Sequence, residues 1–133
     1  MERDPRLLDR TQLRVRIHEE TDRARRYGHT FGVLVCEALP ASDGLPIRVK
    51  AARAIEVVRA AIRTSDVVAQ PYEDMLVVLL VETSPAGVHD ALFRIRERIA
   101  DAAGVWAMRD LRADLFGLIA LGIASFIAAG RLR

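Results

Sequence analysis

With one cysteine and one lysine in 133 residues, the chain has little of two side chains on which whole classes of protein depend. A lone thiol, Cys36, forms no internal disulfide and no cysteine-rich zinc site. It stands in an apolar run, where cysteine behaves as a small buried hydrophobe. Three histidines, His18, His29 and His89, share no ligand spacing, so neither a zinc site nor a histidine-based hydrolase has support. No strong charge excess exists either. The net of +2 is too small for the concentrated basic face that duplex DNA requires. Behind the charged opening Met1 to Arg6 comes no apolar stretch, so no signal peptide is expected, and the cytoplasm is the expected compartment.

What is present is the balance of a folded soluble domain: 51% hydrophobic and 29% charged residues. The length suits a single domain, residues 1–133, able to bury one core without staples. With Lys50 the only lysine, the basic side is arginine, whose planar fork suits guanine edges and phosphates.

Hydrophobic spacing organises the chain. Leu13, Ile17 and Ala24 sit on a helical repeat that Thr11 is placed to cap and Gly28 to stop. Phe31 to Cys36 reads as a strand buried on both faces, and Ala41 to Pro46 as a loop. Val49, Ala52, Ile55, Val58, Ala61 and Ile62 predict a second helix, ended by Thr64-Ser65-Asp66. Val67 to Ala69 and Leu76 to Val81 predict a hairpin whose tip, Gln70 to Asp74, is polar, with Pro71 outside the ladder. Ser84-Pro85 opens a third helix with a buried stripe of Val88, Ala91, Leu92, Ile95 and Ile99. The order implies an α/β fold with a central mixed sheet flanked by helices. Leu115 to Gly130 holds sixteen residues without a charge, long for a strand and short for a membrane span. A buried strand with breaks at Gly117, Gly122 and Ser125 is favoured over a membrane anchor.

Ala24-Arg25-Arg26-Tyr27-Gly28-His29, the strand ending in Cys36-Glu37, and Arg63-Thr64-Ser65-Asp66-Val67-Val68-Ala69 together resemble the GGDEF family of bacterial cyclic di-GMP synthases. The resemblance runs from Asp4-Pro5 to about Ile99, with Leu121-Gly122-Ile123-Ala124 similar to the small strand that follows and the final helix reduced. In ungapped register the family's signature falls on Tyr72-Glu73-Asp74-Met75-Leu76, where four of five positions differ. The resemblance therefore implies a chain that is not an enzyme. Tyr72 adds bulk where the family's glycines approach phosphates, and Met75 replaces a carboxylate with a thioether. Arg48 stands at the family's guanine-reading aspartate. Glu37 and Asp74 keep acidic positions that in the family face metal and nucleotide, which leaves a GTP-binding regulator as a third reading. No catalytic residue, cofactor or resident metal is expected.

Family members often carry a second site for cyclic di-GMP, marked by Arg-x-x-Asp five residues before the signature. Arg63 and Asp66 stand in that register, and Arg94 in Phe93-Arg94-Ile95-Arg96 matches the arginine that completes it. An arginine fork grips guanine O6 and N7, while a carboxylate accepts from the N–H groups of the base's other edge. The same spacing recurs at Arg6 to Asp9 and Arg98 to Asp101, so register alone gives the motif value. The resemblance thus implies a cyclic di-GMP receptor with ligand contacts Arg63, Asp66 and Arg94, signalling to a protein partner or a second copy. The main alternative is an interaction scaffold that binds no nucleotide, with the first helix and the apolar C-terminal segment as contacts.

Overall fold

A computed structural model describes residues 6–40 and 44–111. Five strands and three helices follow in the order β1 (Leu7–Leu8), α1 (Arg10–Tyr27), β2 (Gly32–Ala38), α2 (Ile47–Ala61), β3 (Val67–Tyr72), β4 (Met75–Leu80), α3 (Pro85–Ala102) and β5 (Trp106–Asp110). The strands form one sheet in the order β1-β3-β4-β2-β5. β1 pairs parallel with β3 and every other pairing is antiparallel, so the sheet is mixed, as the sequence predicts. Helices α2 and α3 cover one face over a core of Leu34, Cys36, Leu76, Val78, Val88 and Ile95. On the other face α1 packs with Leu13 and Ile17 in a cluster that includes Val33, Val35, Met75 and Val77.

The first helix starts at Arg10, and its cap lies two residues before Thr11. Asp9 is the cap: its Oδ1 accepts from the Gln12 backbone N–H at 2.8 Å, while Gln12 Oε1 accepts from the Asp9 N–H at 2.9 Å. This reciprocal box satisfies two orphan donors, which a threonine alone does not do. Gly28 ends the helix at φ 70°, the left-handed conformation that favours glycine.

In α2 the predicted stripe holds at Val58 and Ala61, while in the first half of the helix the buried face is turned from the one the spacing predicts. Ala51, Ala54, Val58 and Ala61 are buried, whereas Val49 and Ala52 are exposed and Ile55 is half-buried. Both stripes are apolar, and the alanine-rich one admits the closer approach to sheet and α3. Lys50 joins the buried side, its stem covered and its Nζ donating to the Leu39 carbonyl at 3.2 Å.

The third helix matches its predicted stripe, with Val88, Ala91, Leu92, Ile95 and Ile99 all buried. Ser84 Oγ accepts from the Gly87 N–H at 3.1 Å and Pro85 opens the first turn. Gly32 lets α3 dock on β2: a Cβ there would lie 2.4 Å from Val88 Cγ2.

β3 continues through Gln70, Pro71 and Tyr72, so the hairpin turn is only Glu73-Asp74, shorter than the predicted tip. Its register shifts between Ala69 and Tyr72, where Pro71 has no N–H for the ladder. β1 and β5 are strands that the sequence reading lacks. Arg109 and Asp110 interrupt the β signal in β5, and pairing with β2, from Leu34↔Asp110 to Ala38↔Trp106, overrides it. The strand expected at Leu121 to Ala124 and the Leu115 to Gly130 segment lie outside the described residues, as do Asp4-Pro5 and Ala41 to Asp43. No helix among the described residues is long and apolar enough to cross a membrane.

Candidate functional site

Where α2 ends, β4 ends and α3 begins, three stretches of backbone meet at one edge of the molecule. Arg63 lies just past the last residues of α2, Asp66 just before β3, and Arg94 about three turns into α3. All three line one cavity of about 290 Å³, with Glu82, Thr83 and Ser84 from the loop entering α3. Its volume sits near the small end of ligand pockets, which span roughly 300–1,000 Å³.

Asp66 is the structural centre of this corner, its side chain only 2% exposed. Oδ2 accepts from the Arg63 backbone N–H at 3.0 Å and from Arg63 Nε at 3.3 Å, and Oδ1 accepts from Arg63 Nη2 at 3.1 Å. Oδ1 also accepts from the Val81 N–H at 3.1 Å, which ties the α2–β3 turn to the end of β4. Two carboxylate oxygens offer about four acceptor sites, and four donors use them.

Arg63 is thus held by one edge of its fork while its side chain stays 56% exposed. Nη2 donates also to the Val81 carbonyl and, at 2.8 Å, to Thr83 Oγ1. Nη1 has no hydrogen-bond partner among the described residues. The hydrogen bond to Asp66, reinforced by its charge, holds the guanidinium still further above its ordinary range, so Arg63 is a permanent cation. Arg94 Nη2 donates to the Ala61 carbonyl at 2.9 Å, one of the last carbonyls of α2, where a cation complements the helix dipole. Together the corner presents two cations and the amino-terminal turn of α3 to whatever enters the cavity.

Sequence reasoning missed Glu82. It is the one described non-glycine residue with positive φ, at 45°, and its side chain is 58% exposed. His29 Nδ1 lies 3.1 Å from Glu82 Oε1. The adjacent Thr83 is stitched to Thr30 by its N–H to the Thr30 carbonyl at 2.9 Å and by Thr30 Oγ1 to its own carbonyl at 2.8 Å. No spacing rule reaches across the 53 residues from His29 to Glu82; only the sheet brings them together.

The acidic residues proposed for metal and nucleotide lie at the other end of the sheet. Pairing of Glu37 with Met75 brings Glu37 beside Asp74, whose carbonyl accepts from the Ala38 N–H at 2.9 Å. Arg109 Nη2 donates to Glu37 Oε1 at 3.1 Å, so that carboxylate already has a cation. Among the described residues no group of three or more His, Cys, Asp or Glu is gathered as a metal site. Tyr72 and Glu73 stand at the hairpin turn; Arg10 Nη1 donates to the Tyr72 hydroxyl at 3.2 Å, and its guanidinium lies 5.1 Å from the ring centroid. Met75 is buried in the α1-side core, 1% exposed.

No family model matches the chain, and no curated protein sequence matches it. Solved structures do. A sensory box/GGDEF family protein from Caulobacter crescentus is 17% identical with a TM-score of 0.68, over 96% of this chain and 95% of that one. The diguanylate cyclase SiaD from Pseudomonas aeruginosa, solved with its activator SiaC, is 18% identical with a TM-score of 0.63. That match covers 81% of this chain but only 47% of SiaD. The GGDEF domain of DgcB from Caulobacter crescentus, solved in complex with c-di-GMP, is 12% identical with a TM-score of 0.62, over 83% of this chain and 75% of that one. At these identities the likeness is one of fold: the chain has the α/β fold of GGDEF domains. It also corrects the expectation that the chain is not an enzyme. SiaD, a protein of this fold, is a diguanylate cyclase and so an enzyme, and four altered residues at the hairpin do not establish that this chain is not one.

Proposed function

We propose that the cavity between Arg63 and Arg94 is a receptor site for cyclic di-GMP. The observation that carries the reading is convergence. Arg63, in the turn after α2, and Arg94, in α3, are 31 positions apart, yet they line the same cavity with Asp66, and their register was set by sequence alone. Arg63 and Arg94 supply the ligand contacts, one through its unused Nη1 edge and the other from about three turns into α3. Asp66 fixes Arg63 from behind, so little side-chain freedom is lost when a ligand arrives. The small volume seats one guanine and its phosphate, leaving the ligand's second half to a partner or a second copy of the domain. DgcB, a protein of the same fold, was solved with c-di-GMP, and this supports the ligand class.

The test is calorimetric titration of the purified chain with cyclic di-GMP, beside an Arg63→Ala, Arg94→Ala variant shown by circular dichroism to be folded. A micromolar or tighter dissociation constant, lost in the variant, is the expected result. An inert wild-type protein at high micromolar ligand overturns the reading and leaves the interaction scaffold.

A further inference from the structure

We infer that Glu82, rather than Asp66, is the carboxylate that reads the base edge in this cavity, giving it selectivity for guanine over adenine. The inference rests on the cyclic di-GMP reading and names a residue that the Arg-x-x-Asp pattern does not contain.

Asp66 is ill placed for that task. Its side chain is 2% exposed, and Arg63 and Val81 donors already use both of its oxygens. Turning it toward a ligand would strand the Val81 N–H and release Arg63. Glu82 lines the same cavity with one oxygen held and one open. Oε1 is 3.1 Å from His29 Nδ1, and Oε2 has no partner among the described residues. The loop that carries it is fixed on both sides: Thr83 accepts from Arg63 Nη2 through its hydroxyl and is bonded twice to Thr30.

Two costs argue that this carboxylate has a use. A residue with a Cβ at φ 45° is strained relative to the right-handed region, and glycine would relieve it. A negative charge beside two arginines also weakens attraction for a bare phosphate, so it is a liability in a simple anion site. For guanine it is an asset. The base presents N1–H and the 2-amino group as adjacent donors, which a carboxylate accepts. Adenine offers an unprotonated N1 at that place and no 2-amino group, so the same oxygens would face a lone pair.

The experiment titrates cyclic di-GMP and cyclic di-AMP into the full chain and into its Glu82→Gln and Glu82→Gly variants. Glu82→Gly fits the backbone and is expected to melt no lower than wild type, which separates loss of the carboxylate from loss of the fold. Wild type should prefer cyclic di-GMP by about tenfold or more, the size expected for hydrogen bonds to a charged group. Both variants should lose about that factor for cyclic di-GMP and little for cyclic di-AMP, collapsing the preference. Variants that keep the wild-type affinity and preference, or bind cyclic di-GMP more tightly as removal of a negative charge from a phosphate site would produce, overturn the role of Glu82 and leave the receptor site standing. Wild type that binds neither dinucleotide overturns both.

Discussion

Two cavities lie at opposite ends of α2. At its C-terminal end is the pocket of Arg63, Asp66, Glu82 and Arg94, about 290 Å³, in which Arg63 and Asp66 are tied to one another and Arg94 to backbone. At its N-terminal end is a wider cleft of about 800 Å³, beside the hairpin turn, lined by Val49, Ala52 and Ile55 with Arg48, Gln70 and Glu73. The pocket is small and pre-arranged: Asp66 links the α2–β3 turn to the end of β4 through four accepted hydrogen bonds. The cleft is large because α2 turned its alanine face inward and left the other apolar stripe outside. A helix therefore shapes the two sites by different means, holding charges at one end with a buried carboxylate and leaving bulk unburied at the other.

The largest expected effect would break the pocket from within. Asp66→Ala removes the acceptor for Val81 and Arg63 and leaves a buried N–H unmet, which should cost about 2–3 kcal/mol in urea unfolding. Cys36 provides a second readout, because burial pushes its thiol up to about 12. At pH 8 the folded chain should resist iodoacetamide, and Asp66→Ala should accelerate alkylation through the unfolded state. The sign of the pH dependence follows from the raised value. Stability from keeping the thiol neutral is complete below pH 9, where the unfolded thiol is protonated too, and falls as pH rises toward 12. Urea midpoints at pH 8 and pH 10 would check this, with Cys36→Ala as the reference.

A smaller effect separates binding from folding. Arg63→Ala should weaken cyclic di-GMP binding by about tenfold or more while lowering stability by only about 1 kcal/mol, since its side chain is largely exposed. If stability falls as far as with Asp66→Ala, the arginine is structural and the two roles assigned within the pocket collapse into one. The smallest effect belongs to the cleft: Arg48→Ala and Val49→Ser should shift stability by no more than about 0.5 kcal/mol and leave pocket binding unchanged. A tenfold loss of cyclic di-GMP affinity from either would show that the two cavities are coupled through α2.

The legible parts of the fold were those with local chemistry. Ser84-Pro85 and the stripe from Val88 to Ile99 announce α3, because cap, first-turn proline and period agree within one segment. Gly28 announces the end of α1 for the same reason. Less legible were β5, whose strand character comes from pairing with β2, and the inward face of α2, where two apolar stripes compete and packing chooses. Of the site, Arg63, Asp66 and Arg94 could be named from register, whereas Glu82 could not, since nothing near it in sequence marks a left-handed glutamate paired to His29.

By itself, then, the sequence determined an α/β chain with a mixed sheet, three amphipathic helices and an arginine-aspartate turn after the second, because caps, periodicity and turn residues act over a few positions. Only the tertiary structure decided how that turn is used. It buried Asp66 as an acceptor for Arg63 and Val81, and it set Glu82 at the rim of the cavity beside His29. Those outcomes depend on hydrogen bonds between segments that the sheet brings into contact, and a donor's partner across such a distance is fixed by geometry rather than by any pattern along the chain.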